Sequence, residues 1–120
     1  MEIEREYKDN YIIYNFLKLP KENQLDKIID MVEKDSQVAY SFILNFDKIE
    51  QFGINIHKLM RRLYMCSVSK SCEIVLCGLN PQPKIVLEVL KIDQFYMMEP
   101  NKEEAISFIQ KRYQNALYNY

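Results

Sequence analysis

The sequence predicts an α/β domain: a mostly parallel, mixed sheet of about five strands with four helices, in the order ββαβαβαβα. Three observations lead there. The first residues alternate apolar and charged with a period of two, and a second extended run follows across a polar turn. Beyond that hairpin, short apolar runs alternate with stretches whose apolar residues recur at helical spacing. The connections are short, which favours parallel strands joined by right-handed crossovers.

Ile3, Arg5 and Tyr7 alternate with Glu2, Glu4 and Glu6, as on a half-exposed strand. Lys8-Asp9-Asn10 is a polar turn. Tyr11 to Leu17 is aromatic and β-branched, giving a second strand that Pro20 stops. Leu25, Ile28, Ile29 and Val32 fall on one helical face. Val38 to Phe46 is a continuous apolar run, read as a central strand covered on both sides.

Phe52, Ile56, Leu59, Met60 and Leu63 predict a second helix from about Gly53 to Met65, ended by the polar Ser67 to Ser71. Cys72 to Cys77 is a short buried strand, and Gly78 allows a sharp exit from it. Asn80-Pro81-Gln82-Pro83 suits a helix start, with Asn80 as the cap and Pro81 at the first helical position. Val86, Val89 and Leu90 are expected to face inward from this third helix. Phe95 to Met98 is a last short strand. Asn101 and Glu104 have the spacing of a capping box, worth about 1 kcal/mol. The final helix is expected to turn Ala105, Ile106, Ile109 and Tyr113 inward, with Tyr118-Asn119-Tyr120 fraying at its end.

The chain has 120 residues, 48% of them apolar and 28% charged, with a formal net charge of -1. That balance suits one globular domain over residues 1–120, large enough to bury a core. No basic excess is available to neutralise a phosphate backbone, so a nucleic-acid partner is not expected. No apolar run spans a bilayer, and the acidic start Glu2-Ile3-Glu4-Arg5-Glu6 is the reverse of a signal peptide. A cytoplasmic location is expected, peripheral association with a membrane complex staying open.

Chemistry is sparse. The two glycines, Gly53 and Gly78, cannot build a phosphate-cradling loop. The single histidine, His57, lies far along the same predicted helix from Cys66, so no nucleophilic pair forms there. Cys66, Cys72 and Cys77 lack C-x-x-C spacing and are expected to be buried thiols, neither a disulfide framework nor, with His57, a zinc site. No cofactor or metal is expected, and no catalytic activity. Most methionines and tyrosines are assigned to the core. One feature stands apart. The side of the second helix opposite its apolar face carries Ile54, His57, Lys58, Arg61 and Met65, an apolar tip followed by a mixed basic stripe, which suits either a solvated face or a protein interface.

Several segments in order resemble the STAS domain family, which includes bacterial anti-sigma factor antagonists. Phe42-Ile43-Leu44-Asn45-Phe46-Asp47-Lys48-Ile49 is similar to its third strand. Glu73-Ile74-Val75-Leu76-Cys77-Gly78-Leu79-Asn80-Pro81-Gln82 is similar to its next strand and loop. Val86 to Phe95 resembles the family's helix-to-strand passage, with Lys91 in place of its common glycine, and Asn101-Lys102-Glu103-Glu104-Ala105 resembles the start of its last helix.

The resemblance implies a non-catalytic protein-interaction module whose partner is a kinase-like anti-sigma factor or a related signalling protein. The implied contact is the loop before the second helix and that helix's leading side: Gly53, Ile54, Asn55, His57, Lys58 and Arg61. The family's switch is Asp-Ser-Ser-Gly at the start of that helix, phosphorylated on its second serine. Counted without gaps, the tetrad falls on Gly53-Ile54-Asn55-Ile56, so Asn55 stands at the degenerate phosphosite. A register matching the glycines gives Glu50-Gln51-Phe52-Gly53. Neither supplies a hydroxyl, so the serine switch is expected to be absent. Relatives without that serine also resemble small cytosolic subunits of lipid- or anion-transport complexes, the alternative expectation.

Overall fold

The computed structural model describes residues 2–118. Strands β1 (Ile3–Tyr7), β2 (Tyr11–Phe16), β3 (Ser41–Asn45), β4 (Glu73–Cys77) and β5 (Met97–Glu99) form one sheet in sequence order. Helices α1 (Leu25–Asp35), α2 (Ile56–Lys70), α3 (Pro81–Val89) and α4 (Lys102–Tyr118) complete the order ββαβαβαβα. β1 and β2 are antiparallel, and every later pairing is parallel.

The strand period of two divides the side chains between two cores. Ile12, Tyr14, Phe16, Phe42, Leu44, Ile74 and Leu76 meet the buried faces of α1 and α2 and Leu87 of α3. Tyr11, Ile13, Ile43, Val75 and Cys77 meet Ala105 and Ile109 of α4. With helices on both sides, the central strands are buried nearly throughout, which is why they read as unbroken apolar runs.

Several boundaries differ from the sequence expectation. α2 continues to Lys70, past the predicted end near Met65, because Ser67 turns its hydroxyl onto the Tyr64 carbonyl at 2.7 Å within the helix. Ser71 then takes a left-handed conformation (φ 54°) that closes it. β3 starts at Ser41, three residues after the expected Val38. Residues 36–38 belong instead to the turn leaving α1, where the Val38 and Ala39 amides bond the Asp35 carbonyl, and Val38 and Tyr40 are exposed. α3 turns Pro83 and Leu87 inward, and Val89 and Leu90 outward.

The α3 exit vindicates a glycine-like position without glycine. Lys91 has φ 58°, and the Ile92 amide bonds the Leu87 carbonyl at 2.9 Å, the closing bond of a Schellman turn. At α4 the Glu104 amide bonds the Asn101 side chain at 2.8 Å. The return bond from the Glu104 side chain is not seen among the described residues, so half of the expected box forms. Ala105 and Ile109 are buried as expected, Ile106 is half-buried, and Tyr113 is exposed. The aromatic and methionine assignment is mixed: Tyr11, Tyr14, Tyr96 and Met60 are core, whereas Tyr7, Tyr40, Met65 and Met97 are exposed. α4 runs to Tyr118; the expected fraying of Asn119 and Tyr120 lies outside the described residues.

No helix among the described residues is long and apolar enough to cross a membrane.

Candidate functional site

The carboxyl end of a parallel sheet exposes the loops leading into its helices, and in such sheets that rim is where ligands bind. Here it gathers the β3–α2 loop, the β4–α3 loop and the β2–α1 loop. The β3–α2 loop begins under tight control. The Asn45 side chain is buried beneath it. Its amide donates to Asn15 at 2.9 Å, and its carbonyl accepts the Asp47 amide at 3.2 Å and the Cys77 thiol at 3.7 Å. Asn15 in turn donates to Glu6 at 2.7 Å, and Lys102 reaches Glu6 at 3.1 Å. These hydrogen bonds hold Glu6 well below the usual carboxylate range.

Phe46, Ile49 and Phe52 anchor the loop in the core on the α1–α2 side, with the Phe46 and Phe52 rings edge to face at 5.3 Å. Gly78 lets the neighbouring loop pass close by. Its φ is +70°, and a Cβ there would sit 2.7 Å from Asn45 Oδ1 and 3.0 Å from the Asp47 backbone nitrogen. Asn80 Nδ2 donates to the Ile49 carbonyl at 2.7 Å and the Asp47 carbonyl at 3.3 Å. It therefore braces the loop instead of making the expected side-chain cap on α3; Pro83 offers no N–H at the third helical position, and the Asn80 amide is turned to the loop carbonyls. Gln82 accepts from the Phe52 amide at 2.7 Å and donates to the Phe52 carbonyl at 3.1 Å.

Gly53, Ile54 and Asn55 emerge from this support, and all three are exposed. Ile54 is 81% exposed, the largest value among the exposed large apolar side chains. Asn55 is the residue preceding α2 and makes no side-chain capping bond. The structure therefore brings the candidate residues together at one rim. It separates their roles further along. His57 is half-buried and its Nδ1 lies 2.8 Å from the Ile54 carbonyl. A carbonyl only accepts, so Nδ1 donates this bond. Lys58 pairs with Glu22 at 2.6 Å, tying α2 to the segment before α1. Arg61 is exposed and enters no ion pair among the described residues.

The β2–α1 loop completes the surface and was missed by sequence reasoning. Leu19, Pro20 and Leu25 face Gly53, Ile54 and Ile56 across a cleft of about 360 Å³. In the sequence Leu19 carries no signal, Leu25 reads as part of the apolar face of α1, and Pro20 only as a strand terminator. Its nearness to Ile54 follows from the parallel pairing of β2 with β3, which puts both carboxyl ends at one rim.

Hydrolytic or metal chemistry finds no assembly here. Cys77 lies on the α4 side of the sheet and Cys66 on the α1–α2 side. Burial pushes the Cys77 thiol up to about 12 and the Cys72 thiol up to about 11, opposite to what a nucleophile needs. Among the described residues no group of three or more His, Cys, Asp or Glu side chains could hold a metal. A separate, partly buried cluster, with buried Asp35 accepting from buried Tyr14 at 2.6 Å and from exposed Tyr7 and Arg5 at 3.2 Å each, ties the end of α1 to β1 and β2.

No family model and no curated protein matches the chain. Solved structures do. A STAS domain protein described as an anti-sigma-factor antagonist, from Planctomyces limnophilus, aligns with a TM-score of 0.74 at 20% identity, over 92% of this chain and 99% of that one. The anti-sigma factor antagonist SpoIIAA in its unphosphorylated form gives 0.74 at 12% identity, over 91% and 96%. A crystal structure of a protein described as an anti-sigma factor antagonist of Thermotoga maritima gives 0.77 at 13% identity, over 90% and 94%. The chain has the STAS fold.

Proposed function

We propose that this STAS fold serves as a non-catalytic protein-binding module of the anti-sigma factor antagonist kind, docking a kinase-like anti-sigma factor or a related signalling protein through the rim around Ile54. The observation that carries the reading is the exposed Ile54 at the leading edge of α2. A large aliphatic side chain left in water on a braced loop, facing an apolar cleft across Gly53, is the pattern of an interface anchor. Asn55 beside it, with His57, Lys58 and Arg61 further along α2, supplies a polar and basic border.

The serine switch has no acceptor in this reading. No serine, threonine or tyrosine occurs between Phe42 and Leu63. SpoIIAA, by contrast, has been solved in a phosphorylated form. Asn55 at the helix start cannot take a phosphate, which would bring about two negative charges to that end. Binding is then governed by partner concentration or by the partner's own state. The same missing hydroxyl supports the second reading, a small subunit of a lipid- or anion-transport complex.

The test is affinity capture from the native cell with the bound proteins identified, followed by titration of the captured partner against Ile54→Asp. An unpaired carboxylate in a desolvated contact is expected to weaken binding by about 2–4 kcal/mol. Capture of a soluble kinase-like protein supports the first reading, and capture of a permease or its ATPase the second. Unchanged affinity of Ile54→Asp removes this rim from both.

A further inference from the structure

We infer that the first turn of α3 is the positioning element of the rim, with Gln82 as the residue that sets the presentation of Gly53-Ile54-Asn55. The inference rests on the reading above for its biological meaning but not for its test. The β3–α2 loop contributes few bonds to itself: the Ile49 amide meets the Phe46 carbonyl at 3.0 Å, and the Ile56 amide meets the Gly53 carbonyl at 3.1 Å. Its remaining support comes from outside. Asn80 holds the carbonyls of Asp47 and Ile49, and Gln82 holds both backbone groups of Phe52.

A primary amide is the one neutral side-chain group that offers a donor and an acceptor in a plane, matching the paired N–H and C=O of an extended residue. Gln82 thus acts as a short extra strand against Phe52. The exposed segment enters at Phe52, clamped by Gln82 and buried, and leaves at Ile56, buried at the start of α2, where His57 Nδ1 holds the Ile54 carbonyl at 2.8 Å and the Lys58 amide the Asn55 carbonyl at 3.1 Å; Gln82 is the restraint on its entry side. Gly53 brings no side chain to anchor the segment, although a Cβ there would meet nothing within 4 Å. Without the clamp the three residues hang from a longer, looser loop. A segment ordered before binding loses less conformational freedom on contact, so a clamp behind the rim raises affinity without touching the partner.

The register of α3 makes this possible. Pro81 and Pro83 fix the helix start, and Gln82 between them is exposed on its outer side while its amide turns to Phe52. The Gln82 amide is held in that direction by its two hydrogen bonds to the Phe52 backbone.

The experiment uses the full chain, free of any partner, labelled for NMR. In Gln82→Ala, hydrogen exchange of the Phe52 amide should accelerate at least tenfold. The 15N order parameters of Gly53, Ile54 and Asn55 should fall toward ~0.6 from the ~0.85 of a rigid backbone. Amides within β3 and β4 should keep their protection. Gln82→Glu supplies the rescue. Ionised at neutral pH, its carboxylate accepts from the Phe52 amide but repels the Phe52 carbonyl, so the segment loosens. At pH ~3, below the ordinary Glu value of about 4.3, the protonated acid regains a donor and the order returns. Gln82→Ala has nothing to protonate and stays loose. Unchanged order at residues 53–55 in both variants, or loss of protection spread evenly over β3 and α2, overturns the assignment. Residues 53–55 that loosen in Gln82→Ala, together with unchanged partner binding by Ile54→Asp, would instead refute the functional reading and leave the clamp standing.

Discussion

Gly78→Ala is the sharpest single perturbation this structure offers. Two costs coincide at that position. A left-handed backbone at φ +70° costs an L-residue about 1–2 kcal/mol. The added methyl also arrives 2.7 Å from Asn45 Oδ1 and 3.0 Å from Asp47 Cβ, well inside ordinary contact. Asn45 cannot swing away without breaking its bonds to Asn15 and the Asp47 amide, so relief must come from moving the β3–α2 loop. Overpacking of that kind costs about 1–3 kcal/mol. The unfolded chain gives back up to ~1 kcal/mol through its lost glycine freedom. The net expectation is a loss of about 2–4 kcal/mol. Urea denaturation followed by circular dichroism measures it. With a slope of about 2 kcal/mol/M for a domain of this size, the midpoint should fall by about 1–2 M with the slope unchanged. Gly53→Ala is the internal control. No atom lies within 4 Å of its Cβ position and its φ is not positive, so it should be neutral or stabilising by up to ~1 kcal/mol. A Gly78→Ala loss below ~0.5 kcal/mol, or equal effects at the two glycines, would refute the close-approach argument.

Other expectations follow from the same geometry. Lys91→Gly should stabilise the chain by about 0.5–1 kcal/mol in the same urea assay, because Lys91 holds φ 58° at the α3 exit; destabilisation would mean its side chain contributes more than the strain costs. Tyr14→Phe removes the shortest of the hydrogen bonds reaching Asp35 and leaves a nearly buried carboxylate short of a donor, so a loss of about 1.5–3 kcal/mol is expected, and a thermal midpoint within a degree of the parent would contradict it. Alkaline pH should weaken the fold. Buried Cys77 and half-buried Cys72, the one thiol that departs from the expected full burial, hold their protons to about 12 and about 11, whereas unfolded thiols titrate near ~8.5. The folded state therefore binds more protons above pH ~8.5, and this contribution is complete below that value and lost as pH rises toward the folded ones. The urea midpoint should drop between pH 8 and 10 and drop less in Cys77→Ala; a flat profile in the parent chain would exclude the effect. Ile54→Asp should leave thermal stability within about 0.5 kcal/mol of the parent, since its side chain is already in water, so any binding loss reflects contact and not unfolding.

The sequence by itself determined the element order, the hairpin followed by parallel pairings, the apolar faces of α1 and α2, and the exposure of Ile54 and Asn55. Each rests on a local rule: period two for Ile3 to Tyr7, period 3.6 for Leu25 to Val32 and for Phe52 to Leu63, and proline at the start of α3. At Lys91 the sequence misled: the missing glycine counted against the resemblance there, yet the chain keeps the left-handed turn at that position. Tertiary structure alone decided three things. It rotated α3 so that Leu87 faces in and Val89 stands 73% exposed, since the apolar residues of so short a helix are compatible with more than one inward face. It turned Asn80 and Gln82 from helix-start residues into braces on a loop some thirty positions earlier in the chain. It also set Leu19 and Pro20 beside Ile54, completing the rim from a loop that carried no signal of its own. The reason is common to all three. A side chain's partner across a parallel sheet is fixed by strand order and register, and those depend on long-range packing that no local spacing encodes.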